Sequence, residues 1–273
     1  MLVVSVLLLA TSSLAIPAQQ YSVQSRIAGG KDAIPTQFPY QVGMEITRYI
    51  PEEGLVTEWC GGSLISNQLV LTAAHCLYGA REANLYLGAT NVIKTRETGR
   101  IFVNVKKNSF IVHEDYNDEY VKNDIALIKL PNKINFNKYI KTINLPRLKQ
   151  RNTKFLGRVG WISGWGMTEK GDNQPDVLQF AKTKILPDSV CESELDFEQD
   201  TEICVDGSKG ISNCEGDSGG PFAIDEKDGS RTLIGLVSYS GSDKCGFAGP
   251  VVHTRITAFL DWIAKNGGIK IRD

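Results

Sequence analysis

The chain has 273 residues, 42% of them hydrophobic and 22% charged, a balance typical of a globular protein with one large core or two smaller ones. Its formal net charge of −1 leaves no basic excess for phosphate groups, which argues against a nucleic acid partner. Beyond the N-terminal run, no apolar segment approaches membrane-spanning length, so we expect no membrane partner either.

The first residues have the pattern of a targeting segment. Residues 2–10 are apolar apart from Ser5 and are followed by small residues, which predicts a signal peptide over residues 1–15. The polar residues 16–26 end in Arg26 and predict a pro-segment removed by cleavage after that arginine. A buried N-terminal helix and a frayed terminus are the alternatives for these two segments.

The cysteine count also favours a secreted, extracellular protein. An even number of cysteines in a secreted chain predicts three disulfides, with fifteen pairings open. No Cys-x-x-Cys pair supports a zinc or redox site. The six cysteines are Cys60, Cys76, Cys191, Cys204, Cys214 and Cys245.

The pattern from residue 27 onward is that of an all-β protein. Short runs such as GSLIS, LVLTAA, DIALIKL and TLIGLVSY are separated by Gly, Pro, Asn and Asp. In DIALIKL, Ile125 and Leu127 alternate with Ala126 and Ile128, so the two pairs face opposite sides of a strand. Many short strands predict a sandwich or barrel. The polar residues 145–153 predict a junction between two β halves.

One helix is predicted, at the C-terminus. Thr257 is placed to cap it, Phe259, Leu260 and Ile263 form an apolar stripe, and glycines 267 and 268 end it.

The segment NCEGDSGGPF, residues 213–222, favours a catalytic loop. Glycines permit a tight bend that exposes the hydroxyl of Ser218 as a nucleophile, whereas a plain surface turn is the alternative. A serine needs a base, and the chain has only three histidines. His75, at the end of an apolar strand and beside Cys76, fits best. Ring packing or solvation is the alternative expected for His113 and His253.

The third member of such a site is a buried acid that orients the imidazole. Asp124 stands where a polar loop enters the apolar strand DIALIKL, which predicts a rigid and partly buried carboxylate. The segment also fits the Gly-x-Ser-x-Gly elbow of α/β-hydrolases, but that fold needs the order Ser, acid, His. The order His75, Asp124, Ser218 argues against it.

These residues carry a family resemblance. The segments CGGSLIS, LTAAHC, NDIALIKL, SGWG, GDSGGP and VHTRITAFLDWI together resemble the chymotrypsin-like (trypsin-fold) serine proteases, from Ile27 to about Asn266. The finer similarity is to secreted digestive enzymes of insects, including collagen-cleaving ones. The resemblance implies two six-stranded antiparallel β-barrels and a C-terminal helix within one peptidase domain, residues 27–273.

The same resemblance assigns roles. His75 is the implied general base and acid, Asp124 its orienting partner, and Ser218 the nucleophile, with the N–H groups of Gly216 and Ser218 as the oxyanion hole. Cleavage after Arg26 is implied to free the amino group of Ile27 to pair with Asp217. The implied disulfides are Cys60–Cys76, Cys191–Cys204 and Cys214–Cys245. Ala89 at the first ligand position of the family's calcium loop implies no structural metal, and no cofactor is expected.

The resemblance also locates the substrate pocket. Ser212 is at its floor, where trypsin-like members have Asp, so an apolar substrate side chain is favoured over Lys or Arg. Val251 replaces a usual glycine and is expected to shorten the pocket. Packing or surface solvation is the alternative for every pocket residue except Ser212. The remaining predicted pocket residues are Asn213, Glu215, Ser238, Tyr239, Ser240 and His253, with Ser238–Ser240 expected to pair with the substrate backbone.

The sequence therefore predicts a secreted, monomeric serine endopeptidase made as a zymogen, of chymotrypsin-like to elastase-like specificity, with a digestive role and the gut lumen as its location. The expected partners are protein substrates, an activating trypsin-like protease and protein inhibitors. A non-catalytic protease homologue that acts as a binding module is the alternative, and a cascade protease is a third.

Overall fold

Most of the chain after residue 29 is described by the computed structural model, which covers residues 30–167, 174–208, 214–242 and 245–273. The predicted signal peptide and pro-segment, with Arg26 and Ile27, lie outside the described residues. So do Ser212, the predicted floor of the pocket, and Asn213 beside it.

The described residues form fourteen β-strands and three short α-helices. The helices are α1 (Ala74–Leu77), α2 (Asp188–Glu192) and α3 (Leu260–Gly267). The strands are β1 (Lys31–Asp32), β2 (Gln41–Ile50), β3 (Gly54–Ser66), β4 (Leu69–Thr72), β5 (Ala80–Leu87), β6 (Ile101–Lys106), β7 (Phe110–Val112), β8 (Ala126–Lys129), β9 (Val159–Gly164), β10 (Gln179–Lys184), β11 (Glu202–Asp206), β12 (Pro221–Asp225), β13 (Arg231–Ser240) and β14 (Pro250–Arg255).

The strands form two antiparallel sheets, which confirms the predicted all-β architecture. The first sheet has the order β6-β5-β2-β3-β4-β8-β7, and the second β1-β10-β9-β12-β13-β14-β11. In the first sheet the two outer strands, β6 and β7, are joined only by the 3₁₀ turn Lys107–Ser109, so the sheet curls until its edges adjoin. The segment between β8 and β9, which contains the 3₁₀ turn Leu148–Gln150, connects the sheets.

Each sheet has seven strands rather than the predicted six, for two local reasons. The turn Lys107–Ser109 divides one extended stretch of the first sheet into β6 and β7. In the second sheet the additional strand is the two-residue β1, which comes first in the chain yet pairs with β10. The start of the described chain therefore lies on the second sheet.

Strand β8 is apolar on both of its faces because each face packs in a different cluster. Ile125 and Leu127 pack in a cluster between the sheets that also contains residues of α3. Ala126 and Ile128 point the other way, into the interior of the first sheet. The predicted alternation is confirmed, and because both faces are buried the strand is apolar on both sides.

The C-terminal helix is confirmed, but it begins later than predicted. Residues Ile256–Phe259 form a 3₁₀ turn, and α3 starts at Leu260 with Phe259 as its N-cap. Thr257 is buried within that turn and is not the cap, so this detail of the prediction is wrong. Gly268 ends the helix in the left-handed conformation. Among the described helices, none combines the length and apolar character needed to cross a bilayer.

Candidate active site

His75 and Asp124 are brought together by strand pairing. β4 and β8 are antiparallel neighbours in which Thr72 lies opposite Ala126. His75 follows Thr72 by three residues and Asp124 precedes Ala126 by two, so both lie at the same edge of the sheet. The Asp124 carboxylate lies 2.8 Å from the Nδ1 atom of His75 through Oδ2, and it accepts the His75 backbone N–H at 2.9 Å through Oδ1.

The second sheet completes the surroundings of Asp124, whose residue surface is only 2% exposed. The hydroxyl of Ser238 donates to Asp124 Oδ2 at 2.6 Å, and the hydroxyl of Thr254 donates to the Asp124 carbonyl at 2.7 Å. Four polar groups thus hold this aspartate at the boundary between the two sheets. Its carboxylate is satisfied in the ionised form, as a buried charge requires.

The pKa values of this pair move apart. Burial alone would raise the pKa of the Asp124 carboxyl, but the charge of His75 and the hydrogen bonds from His75 and Ser238 hold it below its ordinary value. Burial alone would lower the pKa of His75, but the Asp124 carboxylate and its hydrogen bond outweigh burial and raise it. A carboxylate beside Nδ1 favours the tautomer with the proton on that nitrogen, which leaves Nε2 as the basic atom.

Ser218 is held close to this pair by the loop before β12. The Ser218 carbonyl accepts the N–H of Gly61 at 2.7 Å. Gly61 follows Cys60, and Cys60 is disulfide-bonded to Cys76, the residue after His75. One hydrogen bond and one covalent bond therefore tie the serine loop to the histidine helix.

The glycines around Ser218 are explained by backbone geometry. Gly216 and Gly219 have φ values of +93° and +74°, which side-chain-bearing residues rarely adopt. A Cβ at Gly219 would also collide with the hydroxyl of Thr72. Both glycines are also buried, so this loop packs inside the protein and is not an exposed surface turn.

Asp217 points away from the cleft into a cradle of glycines. The N–H groups of Gly166 and Cys214 donate to its two carboxylate oxygens at 2.9 and 3.0 Å. A Cβ at Gly164 or Gly166 would collide with the carboxylate, so both positions require glycine. Burial raises the pKa of the Asp217 carboxyl to about 6, against the lowering effect of the two amide bonds.

A cleft of about 390 Å³ lies beside Ser218. Val251, buried on its wall, belongs to β14, and the exposed Glu215 lies at the edge. The hydroxyl of Ser240 is bonded to the Ser242 carbonyl at 2.6 Å and so has a partner within the protein. The lining residues are Cys214, Glu215, Ser218, Val237, Ser238, Tyr239, Ser240, Ser242, Cys245 and Val251.

His253 is not among the described residues that line this cleft. It is on the same side of β14 as Val251 but two residues deeper, where its ring meets the edge of Phe222 at a centroid distance of 5.1 Å. The residue is fully buried, and burial lowers the pKa of its imidazole to about 3. His253 is therefore a neutral core residue, as the packing alternative predicts.

His113 is also a packing residue. Its ring stacks on Trp262 of α3 at 5.1 Å, and its Nδ1 atom accepts the backbone N–H of Asp115 at 3.1 Å. These contacts place His113 against the C-terminal helix, and it is not part of the His75–Asp124 pair.

The three disulfides have the pairing that the resemblance implies. Cys191 is bonded to Cys204 and Cys214 to Cys245, in addition to the Cys60–Cys76 bond. Cys60, His75 and Cys76 place potential metal ligands within 4.8 Å of one another, but the disulfide leaves no thiolate to bind a metal.

Sequence reasoning missed several supporting residues. Ser238 was predicted only as part of a substrate-binding strand, whereas it also donates to Asp124. Thr254 and the cradle glycines Gly164 and Gly166 were not assigned. The SGWG segment contained a signal for the cradle, because fully buried Trp165 anchors the strand end that holds both glycines against Asp217.

Comparisons with known proteins agree with this geometry. A sequence model of the family described as Trypsin matches residues 27–263. A protein named collagenase from Hypoderma lineatum is 35% identical over 272 residues and covers 98% of both chains. A chymotrypsin from Phaedon cochleariae is 36% identical over 239 residues, which are 87% of this chain and 80% of the relative.

A solved structure titled HL collagenase has a TM-score of 0.77 and 35% identity, and the match covers 89% of this chain and 99% of that one. The sequence and structural similarities extend over both sheets, so they concern the whole fold and not one motif. The chain belongs to the trypsin family and is a serine endopeptidase.

Proposed function

We propose that Ser218 attacks the substrate carbonyl while His75 takes the hydroxyl proton at Nε2 and later gives it to the leaving amine. Asp124 holds the imidazole and stabilises its protonated form, without itself becoming protonated. The N–H groups of Gly216 and Ser218 donate to the oxyanion, an interaction that contributes about 3 kcal/mol per donor to the transition state.

The observation that carries this proposal is the 2.8 Å contact between His75 Nδ1 and the Asp124 carboxylate. The same carboxylate accepts the hydroxyl of Ser238, which lines one cleft with Ser218. Ser238 therefore connects the cleft that contains Ser218 to the Asp124–His75 pair.

Activation by cleavage after Arg26 is supported by the surroundings of Asp217. Among the residues that the structure describes, two backbone amides donate to the buried carboxylate and no cation pairs with it. Its pKa is raised because burial outweighs the two amide bonds. A new amino terminus at Ile27 would supply the missing charge, and an ionised carboxylate with a cation is far more stable in a buried site than one without.

The position of strand β1 supports this pairing. Asp32 pairs with Gln179, and Gln179 pairs with Gly164 of the cradle. Two strand spacings amount to about 10 Å, whereas the five residues from Ile27 to Asp32 can span about 17 Å when extended. A stretch of five residues is therefore long enough to bring the amino group of Ile27 to Asp217.

For specificity we propose cleavage after small to medium apolar residues. The buried side chain of Val251 on the wall of the cleft supports a short apolar pocket. Ser240 adds no charge to that wall, and the charged Glu215 lies at its edge. Relatives named collagenase and chymotrypsin make a digestive enzyme the best-supported role. The three disulfides fit an extracellular setting such as the gut lumen.

The test uses the full chain treated with trypsin, followed by a peptide library varied at the residue before the cut. We expect cleavage after apolar residues, labelling of Ser218 by an organophosphonate, and no hydrolysis by the Ser218→Ala variant. Arg26→Gln should block activation and labelling together. Wild-type hydrolysis by Ser218→Ala would refute the assigned nucleophile, and strong cleavage after arginine would refute the proposed specificity.

A further inference from the structure

A polar cluster outside the proposed triad connects the two sheets beside the cleft. We call Lys122, Glu202 and Tyr239 the Lys122 clamp. Lys122 Nζ lies 3.3 Å from Glu202 Oε1, and the Tyr239 hydroxyl donates to Glu202 Oε2 at 3.0 Å. The same hydroxyl lies 2.7 Å from the carbonyl of Asp196, which Lys122 Nζ also contacts.

Burial makes this cluster electrostatically important. Glu202 is only 4% exposed, and the side chain of Lys122 is 20% exposed. The Glu202 carboxylate also accepts the backbone N–H of Glu198 at 2.7 Å, so three donors surround it. Removing one partner from a buried ion pair costs far more than breaking a surface pair, because the remaining charge stays buried.

The loop that carries Lys122 also carries Asp124. Its backbone is bridged between Asn117 and Lys122 by two hydrogen bonds of 3.0 and 3.1 Å. Val121 and Asn123 have φ values of +52° and +54°, conformations that non-glycine residues keep only when their surroundings enforce them. Lys122 lies between these two residues and contacts the second sheet through Glu202.

Two residues of this loop hold two consecutive residues of β13. Asp124 accepts the hydroxyl of Ser238, while Lys122 contacts Glu202 and lies 5.8 Å from the ring centre of Tyr239. Tyr239 lines the cleft beside Ser218. The position of this aromatic wall is therefore fixed relative to the carboxylate that orients His75.

We infer that Lys122, through Glu202 and Tyr239, is a positioning residue that sets the subsite beside the primary pocket and so determines how well extended peptides bind. The inference rests on the proposed active site. The binding of the substrate residues that precede the cleaved bond and lie along β13 depends on the clamp. Hydrolysis of a small ester that reaches only Ser218 depends on it much less.

The experiment compares Lys122→Met, Lys122→Arg and Tyr239→Phe with the activated wild-type enzyme. Each is assayed on an apolar tetrapeptide anilide and on p-nitrophenyl acetate. We expect Lys122→Met to raise the peptide KM about tenfold with a smaller change in kcat, since hydrogen bonds to charged groups have about this effect. The ratio of peptide to ester activity should fall similarly, and Lys122→Arg should restore most of it.

The matched control is Lys182→Met. Lys182 also lies over an aromatic ring, 4.0 Å from the centre of Trp161, but it is exposed on β10 and outside the cleft. It should leave both activities at the wild-type level. Tyr239→Phe keeps the ring and loses the hydroxyl, so it should raise the peptide KM by part of the amount expected for Lys122→Met. It therefore tests the clamp even if Lys122→Met folds poorly.

Three outcomes separate the possibilities. A wild-type peptide KM in Lys122→Met or Tyr239→Phe, with the protein folded by thermal unfolding, overturns the clamp. Additive effects in the Lys122→Met/Tyr239→Phe double variant also overturn it, because residues in one network should be non-additive. An inactive wild-type enzyme on the ester would instead overturn the proposed active site.

Discussion

At the scale of single residues, the proposed chemistry depends on the Asp124 carboxylate and on the hydrogen-bond donors around it. Asp124 accepts from the His75 backbone N–H and the Ser238 hydroxyl and contacts the His75 ring, so it stays ionised although buried. The same contacts raise the pKa of His75. The base is therefore kept in one tautomer and protonates more readily than a free imidazole.

The first prediction concerns pH. His75 must be neutral to accept a proton, and its pKa lies above the ordinary 6.5, so kcat/KM should fall as pH drops through a midpoint above that value. Asp124→Asn should lower the midpoint and reduce kcat by about 10⁴-fold, since the orienting anion is lost. A pH–rate profile of both enzymes measures this. A rate independent of pH between 8 and 5 would contradict the role of His75.

The candidate catalytic residues could be predicted because few residues of each type were suitable. The chain has three histidines, one aspartate at the start of the apolar strand DIALIKL and one GDSGG segment, which limited the choice to His75, Asp124 and Ser218. The donors to Asp124 were not predictable, because Ser238 and Thr254 are ordinary strand residues more than a hundred positions away. Only the packing of one sheet against the other assigns them a role.

At the scale of elements, short strands place the pocket walls. β13 and β14 pair side by side, with Ser240 opposite Val251 at the end near the cleft. Alternation along β14 puts Val251 and His253 on one side, yet only Val251 reaches the cleft. Sequence similarity to a pocket segment could not show which of the two lies deeper.

The second prediction follows from this wall. Val251→Gly removes the buried side chain from the cleft, so kcat/KM for peptides cut after phenylalanine or tyrosine should rise relative to those cut after alanine or valine. A change of about tenfold in this ratio is reasonable for a few methylene-sized groups in an apolar pocket. Paired substrates that differ only in that residue measure it. An unchanged ratio would show that Val251 does not limit the pocket.

At the scale of the whole molecule, stability and activation are linked through Asp217. Its carboxyl has a pKa of about 6 when folded, above the ordinary 3.8, because it is buried. A raised pKa means that its contribution to stability is complete below 3.8 and is lost as pH rises through about 6. The ionised Asp217 should therefore make the uncut chain less stable at neutral pH than at acidic pH, as far as this one group contributes.

The third prediction tests that linkage. Between pH 4 and 7, the uncut wild-type chain should lose free energy of unfolding relative to the uncut Asp217→Asn variant. The expected change in this difference is about 3 kcal/mol for a shift of two pKa units. Denaturant unfolding at both pH values measures it. After cleavage, the pairing of Asp217 with Ile27 should make the wild type more stable than Asp217→Asn. Parallel pH curves for the two uncut proteins would contradict a buried, uncompensated carboxylate.

The sequence by itself determined what depends on local pattern. Alternating apolar runs require strands, glycines at 216 and 219 permit the bend around Ser218, and the three chemical groups are recognisable by type and order. It did not determine the seventh strand of each sheet, the cap of α3 or the depth of His253.

Only the tertiary structure decided which distant residues share one site. The hydroxyl of Ser238 meets Asp124 and Lys122 meets Glu202 because the two sheets pack against each other. Gly164 and Gly166 enclose Asp217 because β9 and β12 are neighbours within the second sheet. The physical reason is that periodicity fixes the side of a strand on which a side chain lies, whereas the neighbour across a sheet or cleft depends on how both sheets are packed.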